Sequence, residues 1–188
     1  MKIILASASP RRQELLKGLG INFEICIKSI DECFDASLSP TEIASYLANE
    51  KMQPFLPIAP DTLTITADTL VFIDGVALGK PDDLAHAAAM LQTLSGRAHT
   101  VVTGVCVATA ASQETFCVAS TVYFRAITQA EIAHYLKNHA PLDRAGSYGI
   151  QDWIGYAFIE KIEGCYYNVM GLPTSELYAR LKKYINFI

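Results

Sequence analysis

The sequence predicts an α/β or α+β fold built on a mixed sheet, and three observations carry that expectation. Apolar stretches rich in β-branched residues alternate with capped, amphipathic stretches along the chain. Two long strand-like segments, residues 99–109 and 114–125, follow one another closely and should pair antiparallel. The chain also opens as strand, tight loop and helix. Its 188 residues suffice for one sizeable core, and one domain spanning 1–188 is expected, a length that would also fit two lobes around a cleft.

Each element has a local reason. Residues 2–6 form a short apolar strand; Ser9 then serves as N-cap and Pro10 as first helical residue of a helix ending near Gly18 or Gly20. Residues 23–27 read as a second strand. Ser39-Pro40-Thr41-Glu42 is a capping box opening a helix to about Gln53, after which Pro54, Pro57 and Pro60 forbid helix. Residues 63–73 read as a strand interrupted by the polar pair Asp68-Thr69, with Asp74-Gly75 as a hairpin turn into residues 76–78. Asp82 or Asp83 caps a helix over 85–94, closed by Ser95-Gly96. Thr128-Gln129-Ala130-Glu131 is a second capping box, for a helix to about Asn138 that Pro141 ends. Residues 143–156 read as a long loop, too irregular for strand or helix and a candidate part of a site. Residues 157–162 read as a strand, and Pro173 at a first helical position begins the last helix, 174–184.

Composition narrows the function classes. With 51% hydrophobic and 18% charged residues the chain collapses into a core and is not a solvated tail. A net charge of −4 without a run of Lys or Arg gives no footprint for a nucleic-acid backbone, whereas one polyanionic small molecule needs only a local basic cluster. The apolar start is too short for a signal peptide and no stretch approaches a membrane span, so no membrane association and a cytoplasmic location are expected. Five scattered cysteines without a Cys-x-x-Cys pair read as reduced, and four histidines lack zinc-ligand spacing, so any metal should be held by oxygen.

Three groups of residues could carry chemistry. Ser7-Ala8-Ser9-Pro10-Arg11-Arg12 leads into a helix N-terminus, which favours an anion. Two arginines in a first helical turn are disfavoured unless a negative partner offsets them, although a surface Arg pair on a capped helix reads equally well from spacing alone. The Gly-Lys-Ser/Thr ending of a Walker A loop is missing. Asp68, inside an apolar β run, is costly to bury uncompensated. At a strand end facing a cleft it could bind a divalent cation or act as general base toward water; a local turn at Asp68-Thr69 is the competing explanation. Lys51 and Lys80 could join Arg11 and Arg12 in neutralising phosphate oxygens, and Asp31, Glu32 and Glu50 are further carboxylates for a metal shell.

Taken together, Leu5-Ala6-Ser7-Ala8-Ser9-Pro10-Arg11-Arg12, Ala67-Asp68-Thr69, Gly79-Lys80-Pro81, Ser95-Gly96-Arg97-Ala98-His99-Thr100-Val101-Val102-Thr103-Gly104-Val105, Ala145-Gly146-Ser147-Tyr148-Gly149-Ile150-Gln151 and Gly171-Leu172-Pro173 resemble the signature stretches of the Maf family of nucleoside triphosphate pyrophosphatases, over essentially the whole chain. The resemblance implies an α/β fold of the ITPase-like type: an elongated mixed sheet flanked by helices, in two lobes around a cleft. It also implies a divalent cation (Mg, Mn or Co), commonly a homodimer, and hydrolysis of a nucleoside triphosphate to monophosphate and pyrophosphate. Asp68 takes the catalytic position, with Asp68 and Glu32 toward the metal. Ser7, Ser9, Arg11, Arg12, Lys51, Thr69, Lys80 and Gln151 fall to the substrate, with Arg11, Thr69 and Gln151 associated with substrate choice. Residues 145–151, closing on Gln151, look like the branch acting on dTTP and UTP. The alternatives are the 7-methyl-GTP branch and a non-catalytic nucleotide-binding regulator of cell division. Two places depart from the family pattern: Met170 before Gly171, and Asp152-Trp153-Ile154 where glycine is expected.

Overall fold

A computed structural model describes residues 1–35 and 37–185. In chain order the regular elements are β1 (Lys2–Leu5), α1 (Pro10–Gly18), β2 (Glu24–Ile25), α2 (Pro40–Met52), β3 (Thr62–Ile73), β4 (Val76–Leu78), α3 (Leu84–Leu94), β5 (Ala98–Ala108), β6 (Gln113–Phe124), α4 (Gln129–His139), α5 (Trp153–Phe158), β7 (Ile159–Glu163), α6 (Tyr166–Met170) and α7 (Thr174–Leu181). The strands make one seven-stranded mixed sheet in the order β2-β1-β3-β5-β6-β7, with β4 also paired to β3. The β2-β1 and β1-β3 pairings are parallel and the others antiparallel, including the expected β5-β6 pair.

Strand alternation sorts the core onto the two faces of the sheet. From β3, Leu70 and Phe72 pack with Ile43 and Leu47 of α2, which also covers this face through its own Ala48 and Met52. The alternate residues Leu63, Ile65 and Ala67 pack with Leu15 and Leu16 of α1 and Leu177 and Leu181 of α7. Further along, Val71 and Ile73 pack with Leu91 and Leu94 of α3, Ile132 and Tyr135 of α4, and Ile154 of α5. This second face therefore carries two separate helical groups, one toward each end of β3, and the space between them is the groundwork of a cleft.

The caps behave as their residue types require. Ser9 accepts from the Arg12 amide, Ser39 and Thr128 form full capping boxes with Glu42 and Glu131, and Asp83 caps α3. Four expectations need correction. The 143–156 stretch is not wholly irregular: it holds a 3₁₀ turn, Ala145–Ser147, and the start of α5. Gly155 hides that helix in the sequence, yet it is there because a Cβ would collide with the Ile150 carbonyl. Because α5 runs to Phe158, β7 starts at Ile159 and not at 157. Pro54 sits in a short 3₁₀ turn, Gln53–Phe55, where a first-turn proline loses no helical hydrogen bond. Pro173 is the N-cap of α7, outside the helix proper, and the short α6 has no counterpart in the sequence reading. Among the described residues no helix is long and apolar enough to cross a membrane.

Candidate active site

A break in the sheet edge makes the site. Along β3, β1 pairs only with Thr62 to Ile65 and β4 only with Val71 to Ile73, while β5 pairs with Thr64 through Phe72. Residues 66–70 therefore have a strand neighbour on the β5 side alone. Asp68 and Thr69 stand in this gap, so the polar pair that interrupts the apolar pattern marks the gap and not a turn: β3 runs through it unbroken. Adjacent residues of a strand point to opposite faces. Asp68 faces α2 and Thr69 faces α6, and the cleft opens onto both around the unpaired edge.

The cleft has a volume of about 460 Å³ and is lined by Ser7, Ser9, Arg11, Arg12, Glu32, Lys51, Asp68, Thr69, Lys80 and Gln151, among others. Every residue assigned to substrate, metal or catalysis from the sequence thus reaches one cavity. Asp31 and Glu50, weighed as further carboxylates, are not on its wall. Six cationic side chains (Arg11, Arg12, Lys28, Lys51, Lys80, Arg144) face three carboxylates (Glu32, Asp68, Asp143) across this space. A chain of net charge −4 thus concentrates positive charge at one place, and low-dielectric walls strengthen its pull on an anion.

Asp68 is only 6% exposed. Lys51, from the last turn of α2, ion-pairs with its Oδ1 and also contacts Oε1 of Glu32 at 2.9 Å. Burial alone would raise the Glu32 pKa, but the hydrogen bond and charge of Lys51, with Lys80 and Arg12 beyond it, outweigh that and hold it below the usual carboxylate value. The two carboxylates and the ammonium form a line from half-exposed Glu32 to buried Asp68.

Arg12 lies on the other side of the gap and is locked in place. Its Nε donates to the Gly171 carbonyl at 2.8 Å, Nη1 to the Ala67 carbonyl at 2.9 Å and to Ser7 Oγ at 3.3 Å, and Nη2 to Thr69 Oγ1 at 3.0 Å. Four of the five N–H groups of a guanidinium are thereby engaged, leaving one on Nη2. Burial lowers the Arg12 pKa, and the nearby Asp68 charge opposes that shift. Arg12 also occupies the Ala67 carbonyl, a β-edge group that no strand reaches. Thr69 is similarly committed: its hydroxyl accepts from Arg12 and shares a 3.0 Å hydrogen bond with Thr103, which donates to the Asn168 carbonyl. Arg11, one residue earlier, points to the cleft mouth and meets Asp143 at 3.4 Å.

The far wall is the stretch 143–151. Gly146 N–H donates to the Gly79 carbonyl at 3.0 Å, which anchors this stretch beside Lys80. Tyr148 is buried, its hydroxyl 2.8 Å from His99 Nε2, and the two rings meet Phe124 edge to face. Gln151 lines the cleft, and its Oε1 is buried with no protein partner. Lys28 is a cleft residue that the sequence reading missed, and Asp143 and Arg144 lie in the 143–156 stretch it singled out without being named individually. Lys28 sits in an unpatterned loop, and Asp143-Arg144 lies just outside the quoted 145–151 signature.

The described residues contain no cluster of three or more His, Cys, Asp or Glu side chains fit to cage an ion. Asp68 and Glu32, both reaching Lys51, instead supply two carboxylates beside a basic cleft. Such a set suits a hard cation that takes the rest of its shell from phosphate oxygens and water, as Mg²⁺ does, and does not suit zinc.

With this geometry in hand, comparison with known proteins is informative. The family model described as Maf-like protein matches residues 2–184. A dTTP/UTP pyrophosphatase of Bacteroides thetaiotaomicron is 46% identical over 184 residues, covering 97% of this chain and 95% of that one. The proteins so named in Phocaeicola vulgatus (48% over 184 residues; 97% and 95% covered) and Porphyromonas gingivalis (49% over 187; 97% and 94%) are similar at the same level. A solved structure, titled "The structure of the Staphylococcus aureus Ham1 protein", aligns with a TM-score of 0.43 at 14% identity over 66% of this chain and 72% of that one.

Proposed function

This chain belongs to the Maf family, and from that premise we propose that it hydrolyses dTTP and UTP to the nucleoside monophosphate and pyrophosphate. The observation that carries the reading is the buried Asp68 carboxylate, held by Lys51 at the open edge of β3 and facing a wall of cations. A pocket built only to bind a triphosphate would gain nothing from that negative charge unless a cation bridged the two.

Attack by water at the α-phosphorus accounts for each group. One oxygen of Asp68 is held by Lys51; the other accepts the proton as the water oxygen bonds to phosphorus. The bond from the α-phosphorus to the α,β-bridging oxygen breaks, and pyrophosphate departs with the electron pair. Arg11, Lys51, Lys80 and the remaining N–H of Arg12 stabilise the charge that grows on the phosphate oxygens. Ser7 and Ser9 place small side chains where the phosphates approach the start of α1. Asp68 and Glu32 would hold a divalent cation, Mg, Mn or Co. Such an ion, when bound, adds positive charge on the phosphate oxygens.

At the base end, uracil and thymine present an N3–H between two carbonyls, and the amide of Gln151 offers the complementary acceptor and donor. Its orphan Oε1 is the group to receive N3–H. Thr69 contributes indirectly, by holding Arg12. A homodimer is part of the same reading, on the family resemblance, and sedimentation of the purified chain tests it.

The deciding experiment incubates the protein with dTTP, UTP, CTP and 7-methyl-GTP, with and without each metal, in water enriched in heavy oxygen. The proposal requires monophosphate from dTTP and UTP, carrying the label. Label in pyrophosphate would place attack at the β-phosphorus, and preference for 7-methyl-GTP would move the chain to the other branch. Binding without turnover would identify a nucleotide-binding regulator.

A further inference from the structure

We infer that Arg144 is a positioning residue that fixes the base-reading amide of Gln151, and that it thereby sets discrimination between uracil and cytosine. The inference rests on the reading of Gln151 as the base contact. Residues 149–152 form a single turn, closed by the Asp152 N–H donating to the Gly149 carbonyl at 3.0 Å. Gln151 occupies the third position of that turn. Arg144 holds both of its ends. At one end its guanidinium lies directly on Gly149, where any Cβ would collide with Nη1. At the other end Nη1 ion-pairs with Asp152 Oδ2.

The clamp is anchored in the core. Tyr135 of α4 is fully buried, and its hydroxyl donates to the same Asp152 Oδ2 at 2.9 Å. The Arg144 and Asp152 side chains are 19% and 11% exposed. A pair that far out of water holds its geometry better than a surface pair, and losing either partner leaves the other poorly solvated. Asp143 extends the arrangement, touching Arg144 Nε at 3.5 Å and Arg11 at 3.4 Å.

Positioning matters here for a specific chemical reason. A primary amide is an acceptor on one side and a donor on the other. Rotated freely, it matches uracil in one orientation and cytosine, whose N3 accepts and whose amino group donates, in the other. Selectivity for the imide requires the amide to be held with its oxygen toward N3–H. A turn clamped at both ends limits the positions from which the amide can meet a base. Released, the side chain can adapt to either base.

The test measures kcat/KM for UTP and CTP in wild type, Arg144→Met, Arg144→Lys, Asp152→Asn, Gln151→Ala and the Arg144→Met/Gln151→Ala double variant, with inhibition by pyrophosphate alone as a probe of the phosphate end. Arg144→Met should reduce the UTP/CTP ratio about tenfold, the scale of one misdirected hydrogen bond in a buried site. Asp152→Asn, which keeps the shape and removes the charge, should reduce it in the same direction, and Arg144→Lys should fall between. Pyrophosphate inhibition should stay within about twofold of wild type in Arg144→Lys, which keeps the cleft charge, since a positioning role leaves the phosphate end intact. In the Gln151→Ala background Arg144→Met should change the ratio no further. An unchanged ratio in both Arg144→Met and Asp152→Asn, an additive effect in the double variant, or weakened pyrophosphate inhibition in Arg144→Lys would overturn the inference. If Gln151→Ala alone keeps the wild-type ratio, it is the reading of Gln151 that fails.

Discussion

Proton uptake by His99 should begin to destabilise this protein at a higher pH than its carboxylates do. His99 lies on β5, 2% exposed, with Nε2 on the Tyr148 hydroxyl and its ring edge-on to Phe124 and Tyr148. Burial pushes its pKa down from 6.5 to about 4, the Arg97 backbone opposing weakly. The unfolded chain therefore binds a proton that the folded one refuses between these values, and stability rises with pH across this window. Falling pH removes that stability, beginning near the unfolded value and ending near the folded one. For one such group the loss between about pH 7 and about pH 5 is roughly 2 kcal/mol, and the full shift corresponds to roughly 3 kcal/mol. Urea unfolding of wild type and His99→Gln over this range isolates the term, because the other titrating groups contribute equally to both. The gap between the two stability curves should close by about 2 kcal/mol as pH falls from about 7 to about 5. Parallel curves would refute the assignment of His99 as a neutral, buried partner of Tyr148.

Two further outcomes follow from the cleft. Asp68→Asn keeps the shape and the Lys51 contact but loses the base, and kcat for UTP should fall by roughly 10²- to 10⁴-fold while the fold persists by circular dichroism; full activity would remove Asp68 from the chemistry. Arg12→Lys offers at most three donors to the four acceptors on Ser7, Ala67, Thr69 and Gly171. It should cost about 1–3 kcal/mol in urea unfolding through unpaired buried groups and raise the KM for UTP.

The elements with strong local grammar were legible in the sequence. Two Ser/Thr-x-x-Glu boxes, the Ser9-Pro10 start and the Asp74-Gly75 turn name their own conformations, and each stands where its chemistry puts it. The β5-β6 pair was legible because both strands are long and β-branched. The short elements were not. α5 and α6 have six and five residues, too few for helical periodicity to emerge, and they exist because tertiary packing holds them. The site shows the same division. Asp68 announces itself as a charge in an apolar strand, and Arg11-Arg12 as cations where a helix favours anions. That β1 stops at Leu5 and β4 stops at Leu78, opening the edge of β3 between Ile65 and Val71, depends on where three separate segments end. No single stretch of sequence encodes it. The engagement of Arg12 and Thr69 with protein partners was hidden likewise, because Gly171 and Thr103 are distant in sequence.

The placement of Lys51 over Asp68 follows from a glycine on the neighbouring strand. Gly104 of β5 is the Cα partner of Asp68 in the β3-β5 register, so both positions face α2. A Cβ at Gly104 would land on the carbonyl oxygen of Ala44 in α2, which means that helix and strand touch backbone to backbone there. Ala44 and Lys51 are seven residues apart, two helical turns, and so lie on the same face of α2. The close approach at Gly104 thus sets the height at which Lys51 descends on Asp68. Gly104→Ala should lift α2 off the sheet, at a stability cost of about 1–3 kcal/mol from overpacking. It should also lower kcat for UTP, because small displacements of a catalytic constellation are expensive. Gly18→Ala, in α1 with nothing near its Cβ, is the matched control and should leave activity unchanged. If Gly104→Ala loses stability but keeps full kcat at a temperature where it is folded, then the seating of α2 is structural only, and Lys51 reaches Asp68 through its own flexible side chain.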